Sequence, residues 1–250
     1  MLIKKKIVSL IVQARMGSER LPGKSMMKLA GEPLVGRILE RIARCNSIDH
    51  TILAIPNNKE NESLLNLAKN YDVEVFQGSE NNLIERFYYA VLPFNTDIVV
   101  RLPADNAVPE PTEIDRIVNF HLSLDKVGFS SNLAEINGSK YPDGIGAEVF
   151  DFCYLEELIG KHLSDKNKEH IHLNFYNYET GRPVNSAWCP INTIKCPDGF
   201  NRPDLILDVN TLEQYKFMNA LYNDLYAKNK NFHITDIIKW YDNKYIKEKL

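Results

Sequence analysis

The sequence predicts a three-layer α/β domain with a mostly parallel, mixed sheet and a small inserted lobe. Apolar runs of strand length alternate with helical apolar patterns through the first half of the chain, which is typical of this class. The first run, KIVSLIVQA, is almost continuously apolar, as strands covered on both faces are. The alternation breaks near residue 127. We therefore expect one domain over 1–250, with the inserted lobe over 127–195.

Each element follows from its period and from the residues that bound it. Pro33 suits a first helical turn, and Leu34, Ile38, Leu39 and Ile42 follow it at helical spacing. The predicted strands are KIVSLIVQA, HTILAIP, VEVFQG and TDIVVRL, then KVGFSSNLA, GAEVFDF, NSAWCPI and DLILDV. The predicted helices are PLVGRILERIARC, NKENESLLNLAKNY, NNLIERFYYAVL and PTEIDRIVNFHL, then CYLEELIGKHL, KEHIHLNFYNYE, TLEQYKFMNALYNDLY and ITDIIKWYDNKYI.

Composition excludes several classes of protein. The 250 residues are 44% hydrophobic and carry a formal net charge of -3, as ordinary globular chains do. No basic excess indicates nucleic acid, and no apolar stretch is long enough to span a membrane. The 4 cysteines form no C-x-x-C pair, which favours free thiols over zinc or disulfides. We therefore expect a cytoplasmic protein.

The loop after the first strand, QARMGSERLPGKS, is the candidate phosphate-binding segment. Open α/β sheets bind ligands at the carboxyl ends of their strands. Arg15, Arg20 and Lys24 bring three cations to this loop, and its glycines and Ser18 offer backbone N–H groups. Cations and backbone amides together suit a triphosphate. The alternative is a solvated basic turn.

The same loop ends in Gly-Lys-Ser, as a Walker A phosphate loop does, but its spacing differs. Five residues separate Gly17 from Gly23, whereas the Walker pattern has four. Gly31 and Pro33 also interrupt any long helix after Lys24. We therefore expect Lys24 in an extended loop and not at the start of a helix.

Two aspartates follow predicted strands and are candidates for a metal site. Asp105 comes after TDIVVRL, and Asp208 lies at the end of DLILDV. Mg²⁺ prefers oxygen ligands from one or two carboxylates together with substrate phosphate. Each aspartate taken alone could instead cap a turn or a helix. Combined with the cationic loop, they favour a Mg²⁺ site.

The segment QARMGSERLPGK, residues 13–24, resembles the nucleotide-binding loop of the cytidylyltransferases that activate sugar acids. That family includes the CMP-Kdo and CMP-sialic acid synthetases, and this chain is most similar to its spore coat polysaccharide biosynthesis protein F branch. Later segments resemble that branch in the same order: VFQGSENNLIERFYYA, VVRLPADNAVPEP, YPDGIGAEVF, KEHIHLNFY and LILDVNTLEQY. The resemblance implies a Rossmann-like nucleotidyltransferase fold, also called the nucleotide-diphospho-sugar transferase fold. It also implies a homodimer built through the lobe.

Residue roles carried over from the resemblance form three sets. The catalytic residues would be Lys24, Arg20, Asp105 and Asp208, the two aspartates being the metal ligands. The nucleotide-binding residues would be Gln13, Ala14, Arg15, Gly17, Ser18, Arg20, Lys24, Gly78, Ser79, Asn82, Arg86 and Ala104. The acceptor-binding candidates are Tyr141, Asp143, Glu148, Glu169 and His170, although His170 could equally pack against or cap a helix.

The sequence departs from the family pattern at Asn82, Ala107, Gly146, Asn210 and Thr211, and two of these departures bear on ligand contacts. Asn82 stands where an aspartate is usual, so a carboxylate contact there is in question. Gly146 also replaces an aspartate, which removes a carboxylate beside the expected acceptor site. The acceptor is therefore expected to differ from those of relatives.

The implied reaction is nucleotidyl transfer from CTP with Mg²⁺ as cofactor. An oxygen of a small acidic or sugar acceptor attacks the α-phosphorus, and pyrophosphate leaves. No residue stands out as a general base. Two alternatives remain open: a sugar-nucleotide-dependent glycosyltransferase of the same fold, and a non-catalytic nucleotide-binding protein of a glycan pathway. The first usually needs Asp-x-Asp, but the segment here is Ala104-Asp105-Asn106-Ala107.

Overall fold

A computed structural model describes residues 5–133 and 139–245. Its strands are β1 Val8–Gln13, β2 Lys28–Leu29, β3 Glu32–Pro33, β4 His50–Pro56, β5 Glu74–Gly78, β6 Ile98–Pro103, β7 Phe129–Ser131, β8 Glu148–Asp151, β9 Tyr176–Asn177, β10 Arg182–Pro183 and β11 Ile191–Asn192. Its α-helices are α1 Leu34–Ile42, α2 Glu62–Ala68, α3 Leu83–Val91, α4 Pro111–Leu122, α5 Cys153–Ile159, α6 Asp165–Glu169, α7 Leu212–Tyr226 and α8 Ile234–Trp240.

Seven of these strands form one mixed sheet in the order β11-β7-β8-β6-β1-β4-β5. Strand β1 pairs in parallel with both β4 and β6, and β5 pairs in parallel with β4. Strand β8 runs antiparallel to both of its neighbours, β6 and β7. The sheet is therefore mostly parallel and mixed, as the sequence predicts.

Helices cover both faces of the sheet, which gives three layers. On β1, Val8, Leu10 and Val12 belong to the cluster that includes residues of α1, α4 and α7. Ile11 points to the opposite face and joins the cluster of α3 and α5. This alternation follows from the two-residue period of a strand, and both faces are apolar because both are buried.

The order of the central strands places a switch point at β1. The chain passes from β1 to β4 and β5 on one side, then returns to β6 on the other side. Loops that follow β1 and β6 therefore leave the same edge of the sheet in opposite directions and open a crevice between them. The candidate phosphate loop follows β1, and Asp105 follows β6, so the topology brings these two segments together.

The structure differs from the predicted elements in the second half of the chain. The predicted strand NSAWCPI is wrong over most of its length, because the Asn185 side chain accepts hydrogen bonds from the Ala187 and Trp188 N–H groups and forms a turn. The predicted helix KEHIHLNFYNYE is interrupted after Glu169. A short 3-10 helix, Ile171–Asn174, follows it.

The predicted strand DLILDV is also not a sheet strand. Leu205 and Leu207 are buried whereas Ile206 is 52% exposed, so the two-residue alternation is real. However, the segment pairs only through isolated bridges, Asp143 with Ile206 and Asn106 with Asp208. These partners lie beyond the ends of strands, so no continuous ladder forms.

Residues 127–195 contribute both to the main sheet and to a separate hairpin. Strands β7, β8 and β11 extend the seven-stranded sheet, whereas β9 and β10 pair only with each other. That this segment acts as an acceptor-binding and dimerisation lobe stays a prediction. No helix among the described residues has the length and apolar character needed to cross a membrane.

A buried polar group ties α4 to β7 and β8. His121 Nδ1 lies 2.8 Å from Ser130 Oγ, and its Nε2 lies 3.2 Å from Asp151 Oδ2. Asp151 also accepts a hydrogen bond from the Gly128 N–H. Burial raises the pKa of Asp151, but the bonds from His121 and Gly128 and the charges of His121 and Lys6 hold it below its ordinary value.

Replacing Asp151 with asparagine is expected to lower the free energy of unfolding at pH 7 by about 1–3 kcal/mol, because buried donors lose their charged acceptor. A depressed carboxyl pKa stabilises the fold above the unfolded-state pKa, and this contribution is lost as the pH falls through the folded-state pKa. Urea unfolding of both proteins between pH 7 and pH 3 measures this difference. A difference that grows toward acid would contradict the assignment.

Candidate active site

The crevice beside β1 and β6 is built around Lys24. Lys24 Nζ lies 3.1 Å from Asp105 Oδ2 and donates to the Val209 carbonyl at 2.9 Å and to Asn210 Oδ1 at 3.1 Å. Arg20 Nη2 donates to the same Asn210 oxygen at 2.8 Å. The Lys24 side chain is only 12% exposed, so water screens this ion pair weakly. Two cations therefore converge on the segment after Leu207.

Asp208 sits directly beside this cluster and is held by amide donors. Asn210 Nδ2 donates to one carboxylate oxygen, and Gln214 Nε2 donates to the other at 3.0 Å. Gln214 also accepts from the Thr211 N–H, while its own N–H donates to the Thr211 hydroxyl, which is a capping box that begins α7. The start of α7 therefore fixes the position of Asp208.

The two aspartates lie close enough to influence each other. The Val209 N–H donates to the Asp105 carbonyl at 2.8 Å, and the backbones of Asn106 and Asp208 form an isolated antiparallel β-bridge. Burial raises the pKa of Asp208, and the negative charge of Asp105 raises it further. Such a repulsion is relieved by a divalent cation shared between the two carboxylates. The donor set, two carboxylates beside a cationic loop, therefore fits Mg²⁺ bound together with substrate phosphate.

No group of three or more His, Cys, Asp or Glu side chains within 5–133 and 139–245 is arranged to hold a metal ion by itself. Asp105 and Asp208 would thus supply two ligands only. Mg²⁺ commonly keeps waters and takes its remaining oxygens from phosphates.

The candidate phosphate loop forms a short 3-10 turn that begins at Lys24, where the sequence predicted an extended conformation. Gly23 adopts a left-handed backbone with φ 72°, which reverses the chain direction without a steric cost. A single turn of 3-10 helix, Lys24–Met26, follows it. The Ser25 hydroxyl is buried and donates to the Arg15 carbonyl at 3.0 Å, so Ser25 closes the loop on itself.

A buried ion pair lies deeper in the crevice. Arg101 Nη1 donates to Glu148 Oε2 at 2.6 Å, and Arg101 Nε donates to Gln13 Oε1 at 2.9 Å. The Tyr176 hydroxyl donates to the other Glu148 oxygen at 3.0 Å. Although burial lowers the pKa of Arg101, the charge of Glu148 raises it above the ordinary value. Gln13 and Glu148, predicted for different ligands, therefore share one network.

The turn after β5 carries a third group of predicted residues. Arg86 Nη1 donates to the Ser79 carbonyl at 2.9 Å, while Arg86 Nε is buried without a hydrogen-bond partner among the described residues. Burial, with the charge of Arg15, lowers the pKa of Arg86 to about 10. Asn82 is the N-cap of α3, because its Oδ1 accepts from the Glu85 N–H at 3.2 Å. Asparagine and aspartate cap helices about equally well, so Asn82 can serve as the N-cap of α3 although an aspartate is usual at this position.

One contact joins the phosphate loop to the acceptor candidates. Arg15 Nη2 lies 3.2 Å from Glu169 Oε1 at the surface. His170 is exposed and ends α6, with its N–H bonded to Lys166. The neighbouring His172 is more buried, and burial with the charge of Arg101 lowers its pKa to about 3. A neutral His172 ring therefore faces the Arg101 network.

Other predicted residues support the chain or lie elsewhere. The Ala104 N–H donates to the Gln13 carbonyl at 3.0 Å, and Gly17 is exposed in the loop. Ser18 is half-buried there and accepts weakly from the Leu21 N–H. Tyr141 is fully buried and its hydroxyl donates to Glu113 at 2.7 Å, so the structure places it in the core and not in the crevice.

Asp143 and Gly144 pack directly beneath the metal-site candidate. The Asp143 N–H donates to the Leu205 carbonyl, and its carbonyl accepts from the Leu207 N–H. Gly144 has φ 88°, and a Cβ there would lie 2.9 Å from the Asp208 nitrogen. The glycine therefore allows this loop to support Asp208 closely.

Gly146 lacks a side chain because Asn132 occupies the neighbouring space. A Cβ at Gly146 would lie 2.7 Å from the Asn132 carbonyl and would also overlap its side-chain oxygen. Asn132 accepts from the Ala147 N–H at 2.9 Å and donates to the Glu113 carbonyl at 3.0 Å. A side chain at position 146 would therefore displace a buried amide that holds two chain segments.

Gly146→Ala is expected to lower the free energy of unfolding by about 1–3 kcal/mol, since the new methyl group overpacks the buried site. Gly199→Ala is the matched control, because no heavy atom lies within 4 Å of a Cβ there. Urea unfolding monitored by circular dichroism measures both. Equal stability of the two variants would contradict the packing described for Asn132.

Sequence reasoning missed residues that organise the site. Asn210 bonds to Arg20, Lys24 and Asp208, and Gln214 fixes that arrangement. The Thr-x-x-Gln pattern of a capping box was a visible signal for Gln214. Arg101 was visible as the single cation within the strand TDIVVRL.

The fold is shared with solved nucleotidyltransferases. A cytidylyltransferase from Leptospira borgpetersenii aligns with TM-score 0.83 and 25% identity, covering 95% of this chain and 94% of its own. A CMP-2-keto-3-deoxy-manno-octonic acid synthetase complexed with CTP aligns with TM-score 0.64 and 14% identity over 88% of this chain and 100% of its own. This is the Rossmann-like nucleotidyltransferase fold, as the resemblance implies.

Sequence comparison narrows this class to a family. Residues 9–142 match the cytidylyltransferase family profile. The spore coat polysaccharide biosynthesis protein SpsF of Bacillus subtilis is 26% identical over 223 residues, which is 85% of each chain. The protein belongs to the cytidylyltransferase family. Among fold neighbours, Rv0371c of Mycobacterium tuberculosis was solved in complex with manganese, with TM-score 0.55 and 16% identity over 86% of this chain and 99% of its own.

Proposed function

We propose that this protein is a Mg²⁺-dependent cytidylyltransferase that transfers CMP from CTP to a small acidic or sugar acceptor and releases pyrophosphate. A sugar acid or a related phosphorylated molecule suits the acceptor role, in the biosynthesis of a surface glycan or glycoconjugate. The observation that carries this proposal is the convergence of Lys24 and Arg20 on Asp105, Asp208 and Asn210 at the switch point. Family membership and the name of the SpsF relative support it.

The triphosphate would lie along the loop after β1. The loop offers positive charge from Arg15, Arg20 and Lys24, and its backbone around Gly17 and Ser18 offers N–H donors. Lys24 pairs with Asp105, so a bound phosphate would compete for that ammonium group. During transfer, Lys24 and Arg20 stabilise the charge that develops on the leaving pyrophosphate.

Asp105 and Asp208 would hold Mg²⁺. Bound there, the ion would supply positive charge that neutralises the phosphates and makes an acceptor hydroxyl easier to deprotonate. The protein positions the two carboxylates: the capping box of α7 orients Asp208, and the contact with Lys24 orients Asp105. These groups hold the phosphate chain in place for an in-line attack.

The nucleoside would occupy the space between the end of β1 and the turn after β5. Arg86 Nε is a buried donor without a partner among the described residues, which suits a ligand oxygen. The nucleoside would be surrounded by residues from the ends of strands β1, β5 and β6 and the turns after them: Gln13, Ala14, Gly78, Ser79, Asn82 and Ala104.

The acceptor would enter beside Glu169, His170 and Asp143, with Glu148 orienting Arg101 behind them. Positive charge from Arg15 suits an acidic acceptor. We also infer a cytoplasmic homodimer formed through the segment 127–195, where the β9–β10 hairpin exposes Tyr178 at 51% and Val184 at 59%. Light scattering tests the dimer, and a monomer at micromolar concentration would contradict it.

The decisive experiment incubates the protein with Mg²⁺, each nucleoside triphosphate in turn and a panel of sugar acids, polyol phosphates and phosphonates. Pyrophosphate release is measured. We expect release with CTP and an acidic acceptor. Glycosyl transfer from a nucleotide sugar, without pyrophosphate release from any pair, would overturn the proposal.

A further inference from the structure

A second cationic site lies between α1 and α7, away from the crevice. A cavity of about 190 Å³ opens there. Its charged lining residues are Arg37, Arg41, Arg44, Lys230 and Glu40. Helix α7 has 15 residues, so at ~1.5 Å per residue its last turn lies ~22 Å from the end that holds Asp208. The cavity is therefore separate from the candidate active site.

Two arginines lining this cavity have unused donors. Arg41 is 3% exposed; its Nε and Nη1 donate to the Pro109 and Phe232 carbonyls, but its Nη2 has no hydrogen-bond partner among the described residues. That nitrogen forms an ion pair with the buried Glu110 Oε2 at 3.6 Å, which is too long for a hydrogen bond. Arg44 Nη2 is also buried and, within the described parts of the chain, unpartnered. Buried donors are normally satisfied, so these two indicate a missing acceptor.

Arg37 differs from them because its guanidinium is fully committed. Its nitrogens donate to the Leu29 and Ala30 carbonyls and to Glu40, and its Cζ lies 3.8 Å from the centre of the Tyr226 ring. Arg37 thus forms a fixed wall of the cavity, while Arg41 and Arg44 each have one nitrogen that makes no hydrogen bond within the described parts of the chain.

The charges around the cavity are not balanced. Four cations face two carboxylates, Glu40 and Glu110, and the carboxyl ends of α1 and α7 add about half a negative charge each. About one positive charge therefore remains. Burial lowers the pKa of Arg41, and the like charge of Arg44 lowers it further. A bound anion would offset the repulsion between the two guanidinium charges.

The size of the cavity limits the ligand. At ~30 Å³ per water, it holds about six waters, whereas sites for larger organic ligands run from ~300 Å³ upward. A nucleotide or a sugar nucleotide does not fit inside.

We propose that this cavity binds a compact phosphate-class oxyanion, inorganic phosphate or pyrophosphate. The half-exposed Arg44 side chain would turn its shielded Nη2 group to the anion, while the charges of Arg41 and Lys230 would add to the attraction. The anion would link α1, which follows the Lys24 loop, to α7, which begins beside Asp208. The site does not depend on the proposed transferase function.

Isothermal titration of the full chain with phosphate and with pyrophosphate tests this site. Arg44→Gln is the principal variant, because Arg44 is half-exposed and its side chain makes no hydrogen bond or ion pair among the described residues. Lys69→Gln, an exposed lysine outside the cavity, is the matched control for charge. Lys24→Met separates binding in the crevice from binding in the cavity.

We expect Arg44→Gln to weaken one class of binding at least ~10-fold, as loss of a charge-assisted hydrogen bond does. Lys69→Gln should bind as the wild type does, and Lys24→Met should keep the class that Arg44→Gln loses. Lys230→Gln should weaken that same class. Wild-type affinity in both Arg44→Gln and Lys230→Gln would overturn the proposal. CTP turnover by Arg44→Gln without added anion should stay within ~2-fold of wild type.

Discussion

Replacing Lys24 with methionine is expected to lower kcat/KM for CTP about 10²–10³-fold. The ammonium group of Lys24 is the least exposed cation of the phosphate loop and is fixed by three acceptors, so its position is preorganised. Loss of one preorganised donor at a developing anion has an effect of this size. Methionine keeps most of the side-chain volume, which limits changes in packing.

Steady-state kinetics with continuous pyrophosphate detection measures the effect. Lys28→Met is the matched control, since Lys28 is exposed and its side chain makes no hydrogen bond or ion pair among the described residues, while its backbone accepts from the Tyr215 hydroxyl and pairs with Pro33. Activity of Lys24→Met within threefold of wild type would mean that Lys24 does not bind the phosphates. Equal losses in both variants would indicate a general effect of net charge.

Asp105→Asn is expected to lower kcat about 10³-fold while CTP binding is retained. Removing a metal ligand withdraws several kcal/mol of charge stabilisation, and each ~1.4 kcal/mol corresponds to a factor of ten in rate. The substitution also releases Lys24 from its ion pair, so Lys24 stays available to phosphate. Binding and turnover should therefore separate in this variant.

Kinetics over a range of Mg²⁺ concentrations and calorimetric titration with CTP measure these two quantities. Asp125→Asn, at an exposed position outside the crevice, is the matched control. Chelation of divalent cations should abolish turnover in the wild type, and added Mg²⁺ should restore it. Full activity of Asp105→Asn in Mg²⁺ would refute the metal assignment.

The ion pair between Lys24 and Asp105 favours binding of CTP and Mg²⁺ together over binding of either one alone. Lys24 and Arg20 lie beside Asp105 and Asp208 in the crevice, so the charges partly compensate each other. A bound complex of CTP and Mg²⁺ would bring both signs of charge together. The phosphate would pair with the ammonium group of Lys24, and Mg²⁺ would pair with the carboxylates of Asp105 and Asp208. No charged group would then be left without a partner.

Local patterns predicted the first half of the fold well. The predicted strand HTILAIP coincides with β4, and the predicted helix PTEIDRIVNFHL coincides with α4. Strand and helix periods are properties of neighbouring residues, so burial on one or both faces is visible in the sequence itself. Pro111 at the start of α4 and Pro33 before α1 added boundary signals.

The second half was harder because its local signals conflict with tertiary contacts. The stretch DLILDV alternates like a strand, yet its neighbours in space are the ends of other segments. Asn185 diverts NSAWCPI into a turn by bonding to backbone N–H groups, an option that apolar patterns do not report.

The sequence by itself determined the class of sheet, the order of the helices and the residue types of the candidate site, because periodicity and strand-end charges are local features. Only the tertiary structure decided how those residues combine. Lys24 and Asp105 are 81 positions apart, and they meet because β1 and β6 are neighbours at the switch point. Burial likewise decided that Tyr141 belongs to the core, that Asn132 fills the space beside Gly146, and that Asn210 joins both cations to Asp208. Such contacts depend on which distant segments share a surface, and a linear pattern does not encode that directly.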